Sequence, residues 1–292
     1  MPSHSLRRCL LGFVAVLPLL LAVPDAGAAS SGVEERFAAL EQQLHGRLGV
    51  YAIDTATGAT LGYRADERFA FASTFKAVLG AAILARSESQ ADLLERRILY
   101  TAADMVNYSP ITEQHLATGM TVAELCAAAI QYSDNTAANL LLRLVDGPAG
   151  LTRFARARHD STFRLDRIET ALNSAIPGDP RDTSSPMAMA RLLQSLTLGD
   201  GLATAQREQL HAWLAGNTTG ARRIAAGVPD GWKVADKTGT GDYAAAGDIA
   251  VVTPPDGAPW LVAIYTTQPA QDAPANEAVI AEAMRVIVAA WR

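Results

Sequence analysis

Cysteine is almost absent: two in 292 residues, Cys9 and Cys126. Cys9 lies in an N-terminal apolar stretch, and once that stretch is removed Cys126 has no partner within the chain. An exported protein of this kind must hold itself together by packing rather than by disulfides. The five histidines, at 4, 45, 115, 159 and 211, show no H-x-x-x-H spacing, and there is no C-x-x-C, so neither a metal nor a cofactor is expected. The formal charge of −5 is too mild to suggest nucleic acid or an anionic membrane as partner. No period of about 20 to 50 residues recurs. What is present is 49% hydrophobic residues at 19% charged, enough for a substantial core in one large domain or two interleaved lobes.

The start of the chain has its own grammar. Arg7 and Arg8 precede an apolar run from Cys9 to Val23, which Asp25-Ala26-Gly27-Ala28-Ala29 follows. Positive, then apolar, then small residues make a secretory signal peptide, here 1–29, with cleavage expected near Ala28 or Ala29. The alternative is an uncleaved anchor, for which the apolar run is short. Removal takes away two arginines and one aspartate, moving the charge from −5 to −6. The product is expected in the periplasm or outside the cell as a monomer. The paired arginines leave the twin-arginine route open beside the general one, although Leu6 stands where that signal usually has a serine or threonine. No second apolar stretch long enough to span a membrane follows.

After the leader, VEERFAALEQQLHG carries apolar residues at helical spacing and stops at Gly46. Leu48 to Ile53 and Ala59 to Tyr63 read as a hairpin, and Gly247 to Thr253 and Trp260 to Thr266 as a second pair of strands. Ala275 to Trp291 is helical again, and from about Ala72 to Ala215 helical patterns dominate, with a capping box at Thr121-Val122-Ala123-Glu124. The expected fold is α/β of an α+β two-lobe type. Residues 30–71 and 216–292 would form one lobe, an antiparallel sheet flanked by the terminal helices, and 72–215 an all-α lobe, with a ligand cleft between them.

Three short motifs carry chemistry. Ser73-Thr74-Phe75-Lys76 opens FKAVLGAAILA, a helix apolar all round and therefore buried. At i and i+3 the Lys76 amine shares a helix face with the Ser73 hydroxyl, the arrangement that turns a poor nucleophile into a useful one. Tyr132-Ser133-Asp134-Asn135 falls between two helical runs. Its hydroxyl could carry a proton to a leaving nitrogen, and Asn135 could donate to a substrate amide; equally, any of the three polar residues could cap the next helix. Lys237-Thr238-Gly239-Thr240 begins or borders a strand, its lysine and hydroxyls suited to a carboxylate and its glycine to a close backbone approach.

S-x-x-K, S-D-N and K-T-G in this order form the signature of class A β-lactamases and penicillin-binding proteins. The mature chain resembles that serine-reactive, penicillin-recognising family over essentially its whole length, and within it looks like a class A β-lactamase. Arg167-Ile168-Glu169-Thr170-Ala171-Leu172-Asn173 is similar to the class A E-x-x-L-N segment, where a carboxylate and an amide at i and i+4 can hold one water. The resemblance implies two-step acyl transfer on penicillins and cephalosporins. Ser73 attacks the lactam carbonyl, with Lys76 or a water on Glu169 as base. The backbone N–H groups of Ser73 and Thr240 form the oxyanion hole, Ser133 passes a proton to the departing nitrogen, and water held by Glu169 and Asn173 releases the product.

By the same resemblance, Asn135, Lys237, Thr238, Gly239 and Thr240 bind substrate, with Arg223, rather than its neighbour Arg222, in support. Asn107 and Tyr108 look like the cleft rim, and Arg167 and Asp182 like the pair pinning the two ends of the Glu169 loop. Three departures stand out. Gly80 occupies a position where many class A enzymes have a cysteine bridged to the equivalent of Cys126. Ala72 and Gly241 stand where certain carbapenem-hydrolysing relatives have a disulfide, which counts against carbapenem hydrolysis. The alternatives are a peptidoglycan transpeptidase or carboxypeptidase that stays acylated, which Glu169 and Asn173 oppose, and a non-catalytic β-lactam sensor, which would need a membrane connection.

Overall fold

The computed structural model of the chain describes residue 1 and residues 26–292, with side-chain surroundings from residue 32 onward. Apart from its first and last few residues, the expected signal peptide lies outside the described residues. Helix α1 (Ala26–Leu44) runs back through the expected cut.

The strands in chain order are β1 (Arg47–Asp54), β2 (Thr60–Tyr63), β3 (Phe69–Ala70), β4 (Arg97–Ile98), β5 (Met120–Thr121), β6 (Thr183–Ser184), β7 (Lys233–Thr240), β8 (Ala246–Thr253) and β9 (Trp260–Thr267). The helices after α1 are α2 (Phe75–Ser87), α3 (Val122–Gln131), α4 (Asn135–Arg143), α5 (Gly147–Arg156), α6 (Pro186–Thr197), α7 (Thr204–Ala215), α8 (Ile224–Gly227) and α9 (Glu277–Trp291). The hairpin, the C-terminal strand pair and both terminal helices expected from the sequence are all here, within one or two residues of their expected ends except at the start of α1, which lies ahead of Val33 at Ala26.

Five strands make one antiparallel sheet in the order β2-β1-β9-β8-β7. The last strand of the chain thus sits in the middle, in register with β1 from Arg47↔Thr267 to Asp54↔Trp260. Alternate residues face opposite sides. Leu48, Val50 and Ala52 of β1 and Val262 and Ile264 of β9 pack with Phe37 of α1 and Ile280, Met284 and Ile287 of α9. Tyr51, Ile53, Leu261, Ala263 and Tyr265 belong to the other core, with α2 to α6. Burial on both faces explains why the strands read as nearly unbroken apolar runs.

The second core is organised around α2, whose residues from Phe75 to Leu84 are all buried. Full burial of Phe75, Leu79 or Ile83 is worth about 1.5–3 kcal/mol each. Gly80 is the close contact with α3: a Cβ there would lie 2.7 Å from Ile130 Cδ1. Cys126 is buried and free, as its unpaired status in the sequence requires. Thr121 caps α3 in the expected box, its Oγ1 accepting from Glu124 N and Glu124 Oε2 accepting from Thr121 N.

The middle of the chain is less purely helical than its sequence suggests. β3 pairs with β6 and β4 with β5. Strands of two residues leave no periodic signal to read. Helix α6, inside the stretch expected to be all-α, packs against β1, β8 and β9. An amphipathic helix shows that it has an apolar face but not what that face meets. Among the described residues no helix is long and apolar enough to cross a membrane.

Candidate active site

A cleft of about 370 Å³ opens where the end of β7, the turn before α2, and the loops before α4 and α8 meet. Ser73 sits in a 3₁₀ turn, Ala72–Thr74, that leads directly into α2. Such a turn lets the chain aim one side chain at the cleft while the next residues are already locked in the core. Lys76, one turn on, is fully buried. Its Nζ donates to Ser73 Oγ at 2.9 Å, to Ser133 O at 2.8 Å and to Asn135 Oδ1 at 2.6 Å, and lies 2.9 Å from Glu169 Oε1. Ser73 Oγ in turn donates to Glu169 Oε1 at 3.2 Å. The hydroxyl therefore touches both groups named as its base.

Burial pushes the Lys76 amine below its ordinary range, and the charge of Glu169 pulls the other way. At Lys237 the burial effect is reinforced by the charge of Lys76, and its amine is brought down to about 7. Lys237 Nζ donates to Ser133 Oγ at 3.2 Å and to Thr238 O at 2.8 Å. Ser133 thus stands between the Lys76 and Lys237 amines, with its backbone in the left-handed conformation at φ 60°. The two readings of the S-D-N segment fall on different residues. Asp134 is the helix cap, its Oδ1 accepting from Ala137 N and its Oδ2 from Ile111 N and Thr112 N.

K-T-G ends β7 rather than beginning a strand. A Cβ on Gly239 would lie 2.9 Å from Ser73 N and 2.6 Å from Phe71 O, so only glycine lets this strand lie against the serine turn. Thr238 and Thr240 line the cleft beyond it. Arg223 is buried, with Nη1 donating to Gly239 O and Gly247 O and Nη2 to Thr240 Oγ1, each at 2.7 Å. Arg222, its rival in the sequence, has its side chain 83% exposed and does not line the cleft.

The Glu169 loop is held at several points. Asn173 Nδ2 donates to Glu169 Oε2 at 2.6 Å. Arg167 Nε donates to Asp182 Oδ2 at 2.6 Å, and Asp182 Oδ1 accepts from the backbone of Asp166 and Arg167. Asp242 N donates to Asn173 O. Tyr108 lies at the rim, 57% exposed. Asn107 acts there through its backbone, its carbonyl accepting from Asn135 Nδ2, while its own side chain turns onto Tyr108 N.

Three residues at the site went unread in the sequence. Asn139, on α4, clamps the Glu169 backbone with both ends of its amide: Nδ2 donates to Glu169 O and Oδ1 accepts from Glu169 N. Its position four residues after Asn135, polar in the apolar run NTAANLLLR, was a readable signal. Glu277 pairs with Arg223 at 3.1 Å and Arg222 at 2.7 Å, and Thr219 bonds Thr238; both line the cleft. Neither carries a local signature. Among the described residues no cluster of histidine, cysteine or acidic side chains could hold a metal ion.

A chain with this geometry has many relatives. The model of the β-lactamase enzyme family matches residues 32–291. The carbapenem-hydrolysing β-lactamase KPC of Klebsiella oxytoca is 58% identical over 263 residues, 90% of each chain. β-Lactamase CTX-M-8 of Citrobacter amalonaticus is 50% identical over 287 residues, 98% of this chain and 99% of that one. The crystal structure of the β-lactamase from Desulfarculus baarsii superposes with a TM-score of 0.88 at 56% identity, covering 89% of this chain and 97% of that one. The family model and these relatives cover most of the chain at half identity or more, so the chain belongs to the β-lactamase enzyme family, as a class A serine hydrolase of β-lactams.

Proposed function

We propose that the protein opens the ring of penicillins and cephalosporins through an acyl-enzyme on Ser73, and that it does so in the periplasm as a monomer freed from residues 1–29, so conferring antibiotic resistance. In this reading the two lobes are 30–71 with 216–292, and 72–215, and the cleft lies between them. The observation that carries it is the buried chain of contacts from Lys76 through Ser73 to Glu169, with Asn173 on the outer carboxylate oxygen. A hydroxyl that donates to a carboxylate and accepts from a buried lysine lies within reach of both groups that can take its proton, which makes it an activated nucleophile. A carboxylate and amide on the same side of the cleft can then hold the water that attacks the ester.

The roles follow from position. Ser73 attacks the lactam carbonyl and loses its proton to Lys76 or Glu169. The carbonyl oxygen is received by the backbone N–H groups of Ser73 and Thr240, and Ser133 returns a proton to the departing nitrogen under the influence of Lys76 and Lys237. Asn135 donates to the substrate amide. Lys237, Thr238, Gly239 and Thr240, steadied by Arg223, take the substrate carboxylate. Tyr108 and Asn107 bound the cleft, and Arg167 with Asp182 fixes the Glu169 loop. Ala72 and Gly241 stand where certain carbapenem-hydrolysing relatives have a disulfide, which counts against carbapenem hydrolysis even with the KPC relative at hand. The test is a chromogenic cephalosporin, followed for both turnover and protein mass. Many turnovers per molecule are expected; a single stoichiometric adduct that persists would mean a penicillin-binding protein or a sensor instead.

A further inference from the structure

Behind the K-T-G strand lie two acids that the reaction does not use. Asp236 on β7 is opposite Ala250 of β8, and Asp248 is two residues from Ala250, so the pair are diagonal neighbours on one face of the sheet. Both are buried, Asp248 completely, and they are in hydrogen-bond contact with each other. Each also holds one end of the loop that enters the cleft. Asn217 Nδ2 donates to Asp236 Oδ2 at 2.5 Å, and Ile224 N donates to Asp248 Oδ2 at 3.0 Å. Between them the loop backbone lies against the acids, since a Cβ on Gly220 would be 2.1 Å from Asp236 Oδ2. Asp248 Oδ1 is buried with no donor from any other group.

Two buried carboxylates in contact do not both stay ionised; one keeps its proton and donates it to the other. We propose that Asp236 and Asp248 share a single proton and act as positioning residues, clamping the 217–224 loop so that Thr219 and Arg223 meet the K-T-G strand. The second half rests on the reading of Arg223 as support for the substrate carboxylate. Asp248 is the partner that keeps the proton. Burial raises its carboxyl well above the usual range, and the charge of Asp236 raises it further. The charges facing the pair are the Arg223 guanidinium from the loop and Lys237 on the same strand, with the Tyr265 phenol from β9. Glu277 of α9 reaches the pair only through Arg223.

Asp248→Asn keeps the hydrogen bond without the proton, Asp248→Ala removes it, and Asn217→Ala cuts the other end of the clamp. A neutral carboxylic acid is expected in the infrared difference between wild type and Asp248→Asn at pH 7, and its absence would overturn the shared proton. Against a chromogenic cephalosporin, Asp248→Ala and Asn217→Ala are expected to raise KM about tenfold with a much smaller change in kcat, and Asp248→Asn to restore KM. Equal KM in all variants, or an Asp248→Asn enzyme as impaired as Asp248→Ala, would overturn the clamp. Should Asp248→Ala not fold, Asn217→Ala and the infrared band still decide. Arg223→Ala separates the premise from the inference: unchanged KM there removes the role given to Arg223, while the infrared band tests the proton regardless.

Discussion

The two halves of the reaction are built on different materials. Ser73 and Lys76 stand at the head of α2, whose first ten residues are all buried. Glu169 and Asn173 stand on an irregular segment that exposes Ile168 and Ile176 on either side. That segment is held by Leu172, the Arg167–Asp182 pair, the Asn139 amide and one backbone bond from Asp242. A packed helix has many small contacts to lose before it shifts; a loop tied at a few points has only those few. Acylation should therefore survive insults that stop deacylation.

Glu169→Ala sharpens this contrast most. Loss of a general base typically lowers turnover by about 10²–10⁴, and acyl-enzyme on Ser73 should accumulate and be seen by mass. Unchanged steady-state turnover would remove the deacylation role. Asp182→Ala comes next. It leaves Arg167 one-fifth exposed and unpaired, and should cost about 3 kcal/mol of stability by denaturant titration. Its effect on the release of acyl-enzyme should exceed its effect on the rate of acylation; equal effects on both steps would erase the difference between the two regions.

The third measurement is of pH. With the Lys237 amine brought down to about 7, kcat/KM for an anionic substrate should fall as pH rises through that value, because the charge that attracts the carboxylate is lost. Stability should move the opposite way. A lysine held below its unfolded value binds fewer protons when folded, so its contribution is complete above the unfolded value and is lost as pH falls through about 7. Lys237→Arg should abolish both dependences. The smallest effect is expected at the rim: Tyr108→Ala should lower kcat/KM only a few-fold, since an exposed aromatic contact is worth about 0.5–1.5 kcal/mol.

How much of this was legible follows the same division. The run FKAVLGAAILA announced a buried helix because local composition alone decides burial, and S-x-x-K was visible at its head. Glu169 and Asn173 were legible as a short pattern, since i and i+4 fix their mutual geometry. Asn139 stood out as a polar residue in an apolar run, but its role was not legible, because its partner is the backbone of a loop thirty residues away. Glu277 and Thr219 reach the cleft by tertiary contact from α9 and from the loop before α8, and nothing near them in the sequence says so. The role of α6 was hidden for the same reason: periodicity reveals a face, not its neighbour. Arg223 and Arg222 were adjacent letters, and only the fold, which buries one and exposes the other, tells them apart.

The place of β9 has a consequence for the order of events in the life of the chain. A ribosome makes β1 some two hundred residues before the strand that must lie between it and β8, and β8 immediately before it. Until residues 260–267 emerge, β1 and β8 have no bridge, and Gly239 has no fixed sheet from which to approach Ser73. The pairing of β1 with β9 closes a loop of more than two hundred residues, the kind of contact that makes folding slow and late. The sequence thus withholds its active site until nearly its last segment is made, and loss of that segment would leave a chain with both sheet cores open and no catalytic cleft.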